Sequence, residues 1–579
     1  MPRTAPPYIT PTIAAAVIAF GGSAQNFITN PGFENGQSPW IQTGSTLSVV
    51  SDSPFEGAFH GRVTSRNNWT SGPAQDFSAT LPSGTILLVT GAGRIDGPEA
   101  DDIQGRIRTN DGQTTQGFTA ARRTSQPGEW VTLRGIFPFV YEGPQPDLRL
   151  LVQTRFDGAD GDPADPFSFD DWSVTVYEED PNWRQLADAG IEQHRKRDLE
   201  IRVVDVNGAT VGDSTLNIAQ VRHHFAFGAT LEAPELQANN VPYMEMFPTL
   251  FEWATPRNAF KWRQTERNRD QPDWSRPDAV VQFCEANDLD IYGHNIFWAA
   301  EKNLPDWLPG LSDARVVGEL QERIDELLGR YADDVDHWDV NNEMLHVSYL
   351  TDRLDPIPCS ICPIRPWMFH RAAQLDPSAK LFLNDFSVVG GGLNGAEAEN
   401  YADQAQGFLD AGMPVHGIGA QCHFNNRPII ARWIRERLDI LAAVGLPIRL
   451  TEFDLLRPDV NERADDLEKF YRVAFSHPAV DGVTLWGWWA GNHGIGPDAA
   501  IVDTDFTLNE AGQRYVDLLS EWATNESLPT GTGGIVELRG FHGEYEVSLD
   551  SPAYDAAPIP ISLEPGAGTS QATVIVIGA

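Results

Sequence analysis

Cysteine is scarce in this chain: Cys284, Cys359, Cys362 and Cys422 are the only ones in 579 residues. That number excludes a disulfide-dense scaffold. Basic residues are also short, with 42 Lys and Arg against 81 Asp and Glu and a formal charge of -39. The imbalance argues against nucleic acid or an anionic membrane surface as a partner. Beyond the N-terminus no apolar run approaches the ~18 residues of a membrane helix. There is no G-x-G-x-x-G turn for a dinucleotide. Cys359-Ser360-Ile361-Cys362 has no second C-x-x-C or H-x-H cluster to complete a zinc site, so in an exported chain it reads as a local disulfide. His223 and His224 are adjacent rather than alternating, which would point them to opposite faces of a strand and disfavours metal-dependent hydrolysis there.

What is present is a globular chain with 41% hydrophobic residues and 17 Trp, long enough for two or three domains. Residues 1–24 have the pattern of a secretory signal: Arg3, then the apolar Ile13 to Phe20, then Gly22-Ser23-Ala24. The expected product is secreted, extracellular or periplasmic. Residues 25–179 hold short alternating or apolar runs (Thr85 to Thr90, Trp130 to Val140, Leu148 to Gln153, Phe167 to Val176) between Gly, Pro, Asn and Asp clusters, as a β-sandwich would. Residues 180–224 read as a connector with a helix, leading into a barrel.

From 225 to 526 β and α patterns alternate eight times, which predicts a (β/α)8 barrel. Expected strands run from Phe225 to Leu231, Leu250 to Ala254, Leu289 to Trp298, Val335 to Asn341, Lys380 to Asp385, Val415 to Cys422, Pro447 to Thr451 and Val480 to Trp488. The clearest helix, Ala314 to Tyr331, keeps Val316, Val317, Leu320, Ile324, Leu327, Leu328 and Tyr331 to a 3.6-residue period, with Ser312 placed to cap it. Residues 527–579 form a β-like tail without an assigned function. The fold class is α/β: a barrel with an N-terminal β-sandwich and a short C-terminal β-like appendage.

Two strand ends carry the chemistry: Trp338-Asp339-Val340-Asn341-Asn342-Glu343 and Leu450-Thr451-Glu452-Phe453-Asp454. A glutamate ending a barrel strand faces the loop side, where such barrels do their chemistry. Two carboxyls across a sugar ring are the equipment for splitting a glycosidic bond. At these motifs the chain resembles glycoside hydrolase family 10, the endo-β-1,4-xylanases, whose motifs read W-D-V-V-N-E and close to T-E-L-D.

The resemblance implies Glu343 as acid/base, Glu452 as nucleophile, Asn342 on the substrate 2-OH and His423, in Gln421-Cys422-His423, holding the nucleophile. Asn258 and Lys261-Trp262 resemble E-N-x-M-K-W, and Gly293 to Trp298 resembles G-H-T-L-V-W, whose equivalents of His294 and Trp298 line a sugar subsite. Asn384-Asp385 resembles N-D-Y, and Trp486 matches the tryptophan ending the eighth strand. Gln421 joins the substrate-binding set. Arg257 stands where the family has Glu, Phe260 where it has Met, and Ala299 where a histidine is common. The expected substrate is xylan; the alternatives are another β-1,4-glycan or a non-hydrolytic polysaccharide-binding protein. No cofactor is required, and a monomer is expected.

Asn30 to Glu34, Trp69 to Asp76, Gly128 to Val131 and Phe169 to Val174 resemble carbohydrate-binding modules of family 22 or the 4/9 type. The resemblance implies Trp69 as a sugar-stacking aromatic, Gln153 as a polar contact, and Asp170 or Asp171 as holder of a structural Ca²⁺. The alternative is a purely structural sandwich with Trp69 and Trp130 in its core.

Overall fold

The computed structural model describes residues 25–578 apart from Trp69, Gln113, 155–164, 392–394, Pro552 and Ala556. The proposed signal segment and Trp69 lie outside the described residues. The chain divides into two compact units, Met1–Glu178 and Glu179–Ala579.

In the first unit, Gly91 and Gly105 lack side chains where the Trp172 ring passes; a Cβ there would meet it at 2.3 and 2.2 Å. Trp172 is wholly buried, and its indole donates to the Ala92 carbonyl at 3.1 Å. Around it pack two five-stranded antiparallel sheets. One runs in the order Ile41–Thr43, Gly72–Phe77, Asp147–Thr154, Asp101–Asn110, Thr115–Ser125. The other runs Thr46–Val50, His60–Thr64, Phe167–Val176, Thr85–Ile95, Trp130–Phe139. Leu87, Val89, Ile103 and Leu150 fill the space between them, as alternating strands require.

The second unit is built on eight parallel strands: β1 (Ala226–Leu231), β2 (Trp253–Pro256), β3 (Asp290–Gly293), β4 (His337–Asn342), β5 (Lys380–Asp385), β6 (Gly417–Ala420), β7 (Ile448–Phe453) and β8 (Val480–Leu485). They close into a barrel, with β8 pairing back onto β1. Helices cover the outside, so β1 and β7 are buried at every position, the polar Arg449, Thr451 and Glu452 of β7 included. The expected second strand slides toward its C-terminus, because Leu250 closes the helix Val241–Leu250 instead. The expected long helix is Asp313–Tyr331; Ser312 sits at its N-cap in extended backbone but makes no side-chain capping bond. Cys359 and Cys362 form a disulfide. Among the described residues no helix is long and apolar enough to cross a membrane.

Two stretches that the sequence reading treats apart, the barrel entry and the tail, meet as one body. Lys196–Asp205 lies between Ile535–Phe541 and Ser570–Gly578, and Thr215–His223 lies between Asn525–Pro529 and Gly543–Asp550. Leu199, Ile201, Leu216, Ile218, Tyr545, Val547 and Val574 form their shared core. The tail is therefore half of a two-sheet unit whose other half precedes the barrel.

Candidate active site

Every side chain of the site hangs from the C-terminal end of a barrel strand. Strand β4 shifts register against β5 between Asp339 and Asn341, and the chain then turns through Glu343 at φ +65°. A non-glycine residue in that region costs on the order of 1 kcal/mol. The Glu343 amide is held there by the Asn384 carbonyl at 2.7 Å. The turn projects Glu343 into the barrel mouth. Trp298 Nε1 donates to its Oε2 at 2.8 Å, and Gln421 Nε2 donates to its Oε1 at 3.1 Å. Burial pushes the Glu343 pKa up; those two bonds pull against it, the charges of Glu452 and Asp385 add to it, and the result is raised.

Glu452, on β7, is almost wholly buried. Its Oε1 accepts from Asn384 Nδ2 at 2.9 Å, and its Oε2 lies 3.1 Å from His423 Nε2. Burial pushes its pKa up, but the His423 bond and the charges of His294, His423 and Lys261 outweigh that, leaving it lowered. His423 itself is opposed by burial, yet Asp454, 2.5 Å from Nδ1, and Glu452 raise it to about 10. At neutral pH it is an imidazolium, and both ring nitrogens donate.

Asn384 ties the two carboxylates' supports together. Its Oδ1 accepts from Thr451 at 2.7 Å, and its Nδ2 also donates to Asn342 Oδ1 at 3.0 Å. The Asn342 Nδ2 group then donates to no protein atom among the described residues and is available to a hydroxyl. Buried Asp339 takes Tyr292 Oη at 2.6 Å and sits 2.8 Å from His294 Nδ1, fixing that ring against Trp486 at 5.2 Å. Lys261 Nζ donates to Asn258 Oδ1 at 3.3 Å and lies 5.0 Å from the Trp298 ring and 5.8 Å from that of Trp486. Burial lowers its pKa, against the pull of Glu452 and Glu343.

Asn258, Lys261, His294, Trp298, Asn342, Glu343, Gln421, His423, Glu452 and Trp486 thus form one connected cluster. Chemically it offers one carboxyl whose proton affinity is raised, one whose proton affinity is lowered, half-buried tryptophan faces and an unspent amide donor. Trp488, by contrast, is core, packed on Tyr243 at 4.7 Å.

Sequence reasoning missed Glu232. Arg257 replaces an expected glutamate after β2, and Glu232, just after β1, pairs with Arg257 Nε at 2.7 Å. A carboxylate is thus present, from the neighbouring strand. Its position at a strand end was the available signal. Asp339 and Tyr292 were missed as the pair that orients His294; both contacts cross strands and leave no local pattern.

In the N-terminal unit, Gln153 is wholly buried, and neither amide atom finds a partner among the described residues. It does not reach an exposed sugar-contact surface, which corrects that expectation. Trp130 is half-buried, in edge contact with His60 at 5.4 Å. Asp170 is buried and accepts the amides of Phe55, Glu56 and Asp171 at 2.9–3.1 Å. Burial raises its pKa to about 6, and no cationic side chain pairs with it among the described residues.

Residues 217–508 match the family model described as glycosyl hydrolase family 10, and residues 25–157 match one described as a carbohydrate binding domain. The chain is similar to the anti-sigma-I factor RsgI6 of Acetivibrio thermocellus, 33% identical over 391 residues, which cover 68% of this chain and 50% of that protein. It is 33% identical over 359 residues to endo-1,4-beta-xylanase 2 of Arabidopsis thaliana, covering 61% of this chain and 32% of that protein. The chain therefore spans half or less of the length of these relatives. A solved structure, xylanase 10B from Thermotoga petrophila RKU-1 in complex with xylobiose, is 23% identical with a TM-score of 0.46, covering 52% of this chain and 94% of that one.

Proposed function

This chain belongs to glycosyl hydrolase family 10, and from that premise we propose that it is a secreted, retaining endo-β-1,4-xylanase acting as a monomer. The observation that carries the reading is the opposite polarisation of two carboxyls on one hydrogen-bonded frame, Glu343 raised and Glu452 lowered. That is the division of labour that double displacement needs. Glu452 attacks the anomeric carbon while Glu343 gives its proton to the departing glycosidic oxygen. Glu343, now ionised, takes a proton from water, whose oxygen displaces Glu452 from the sugar. The imidazolium of His423 and the amide of Asn384 keep Glu452 ionised and aimed. The free Asn342 Nδ2 is positioned to hold the 2-OH as positive charge develops on the ring.

Xylan as substrate is supported by the relatives named xylanases and by the tryptophan faces of Trp298 and Trp486, on which a pyranose packs. Export is supported by the apolar stretch Ile13 to Phe20 followed by Gly22-Ser23-Ala24. For the N-terminal module the reading includes polysaccharide binding and a Ca²⁺ held by Asp170. A chelator should lower the module's melting temperature, and a curve indifferent to chelator removes the ion from the account.

The deciding experiment follows product size and anomer on soluble xylan, with mixed-linkage glucan and carboxymethyl cellulose alongside. Short xylo-oligomers appearing first as the β-anomer are expected, and Glu343→Gln should lose ~10²–10⁴-fold in kcat. Initial α-anomer would overturn retention. Cleavage of a glucan alone would move the specificity, and silence on all three would leave a binding protein. Glu452→Ala should regain turnover with azide, giving the inverted glycosyl azide; no rescue would remove Glu452 from the nucleophile's role.

A further inference from the structure

The chain carries a charge of -39, yet residues 254–276 hold six Lys and Arg against three Asp and Glu. This stretch leaves β2, passes through the helix Trp262–Thr265 and enters the helix Ser275–Ala286, so it rims the barrel mouth beside Asn258 and Lys261. Half of its cations have a carboxylate partner. Arg257 pairs with Glu232, Arg263 with Asp306, and Arg269 with Glu319. Arg267 and Arg276 do not: both direct a guanidinium at one neutral acceptor, Gln264 Oε1, at 3.0 and 3.5 Å. Among the described residues neither has a carboxylate within ion-pair range. Asp273 and Glu232 act on this pair only from a distance: the first is exposed, and the second is committed to Arg257.

Gln264 lies in the wall of two recesses. One, of about 160 Å³, is lined by Glu232, Asn258, Gln264 and Arg276 among others; the second, of about 270 Å³, is lined by Arg263, Gln264, Arg267 and Asp306. The first opens beside Asn258, whose side chain holds Lys261 over Trp298 and so borders the sugar-stacking faces.

We propose that Arg267 and Arg276 receive the carboxylate of a uronic acid carried as a side group on the bound β-1,4-glycan. The polymer chain itself rests on the xylanase reading above. A planar guanidinium matches a carboxylate with two parallel hydrogen bonds, and two such groups sharing one amide oxygen leave most of their donors unspent. Placed against a protein of strongly negative charge, a local pair of cations without an ion-pair partner selects the one sugar class that carries negative charge of its own. Binding an acidic side group here releases the repulsion between the two arginines, which a neutral side group does not.

The test uses the full chain with Glu343→Gln to prevent turnover, and measures affinity calorimetrically. The two ligands are a glucuronosyl-substituted xylo-oligosaccharide and the same compound with its carboxyl reduced to the alcohol. The acidic ligand should bind about tenfold tighter, the effect of one charge-assisted contact. The preference should shrink as salt rises from ~0.01 to ~1 M, and it should disappear when Arg267→Gln and Arg276→Gln are added. Equal affinity for the two ligands overturns the proposal, as does a preference untouched by the double substitution. Failure of the wild type to cleave any xylan, with the acidic preference present, overturns the xylanase reading and leaves the uronate acceptor standing.

Discussion

Glu343 and Glu452 share one functional group and differ only in what surrounds them. Glu343 receives hydrogen bonds from two neutral donors and is left with its pKa raised; Glu452 faces an imidazolium and is left with its pKa lowered. The acid limb of kcat/KM should therefore follow protonation of Glu452 below the ordinary glutamate value, and the alkaline limb the loss of the proton from Glu343 above it. His423 is what overcomes the burial of Glu452. Replacing it by Ala leaves burial dominant, so the Glu452 pKa rises and the acid limb moves to higher pH, with activity at neutral pH reduced. A pH–rate profile of His423→Ala checks this, and an unmoved acid limb would show that His423 does not set the nucleophile's ionisation. At this scale the two glutamates were legible, since each ends a β-type run in a motif of several residues. Their protonation states were not, because Trp298, Gln421, Asn384 and His423 come from three other strands.

Elements differ in how firmly their ends are held. The helix Glu510–Glu521 is capped by Asn509, whose Oδ1 accepts from the amides of Ala511 and Gly512 at 3.1 Å. The helix Asp313–Tyr331 has Ser312 at the same place without such a bond. Asn509→Ala should cost ~1 kcal/mol in denaturant unfolding, whereas Ser312→Ala should stay within ~0.5 kcal/mol. Equal losses would mean that the cap geometry does not decide the cost. Element type was readable where one face is buried, as in the 3.6-residue period of Asp313–Tyr331. It failed for Asp101–Asn110 and Thr115–Ser125, strands whose polar, arginine-bearing sequences carry no apolar alternation. Their pairing with each other along ten residues supplies what the local pattern does not.

At the scale of the molecule, the strands Lys196–Asp205 and Thr215–His223 depend on partners more than 300 residues away. Ending the chain after Trp522 would strip both strands of every partner within their sheets and expose Leu199, Ile201, Leu216 and Ile218. Bare strand edges over an apolar face are an aggregation hazard. The truncated protein should accumulate in the insoluble fraction, although every residue of the catalytic cluster is retained. A soluble, fully active product would show that the tail is dispensable to the fold.

The sequence by itself determined the eight-fold alternation and the two strand-end glutamates, because each is written in residues close together along the chain, and the acidic balance, which is a sum over composition alone. The tertiary structure alone decided that Glu232 supplies the carboxylate beside Arg257 and that His423 is charged. It alone decided, too, that the tail and the barrel entry are one body and that Arg267 and Arg276 meet over a neutral amide. Those outcomes depend on groups brought together from distant positions, and hydrogen bonds and Coulomb forces act over ångströms of space whatever the separation along the chain.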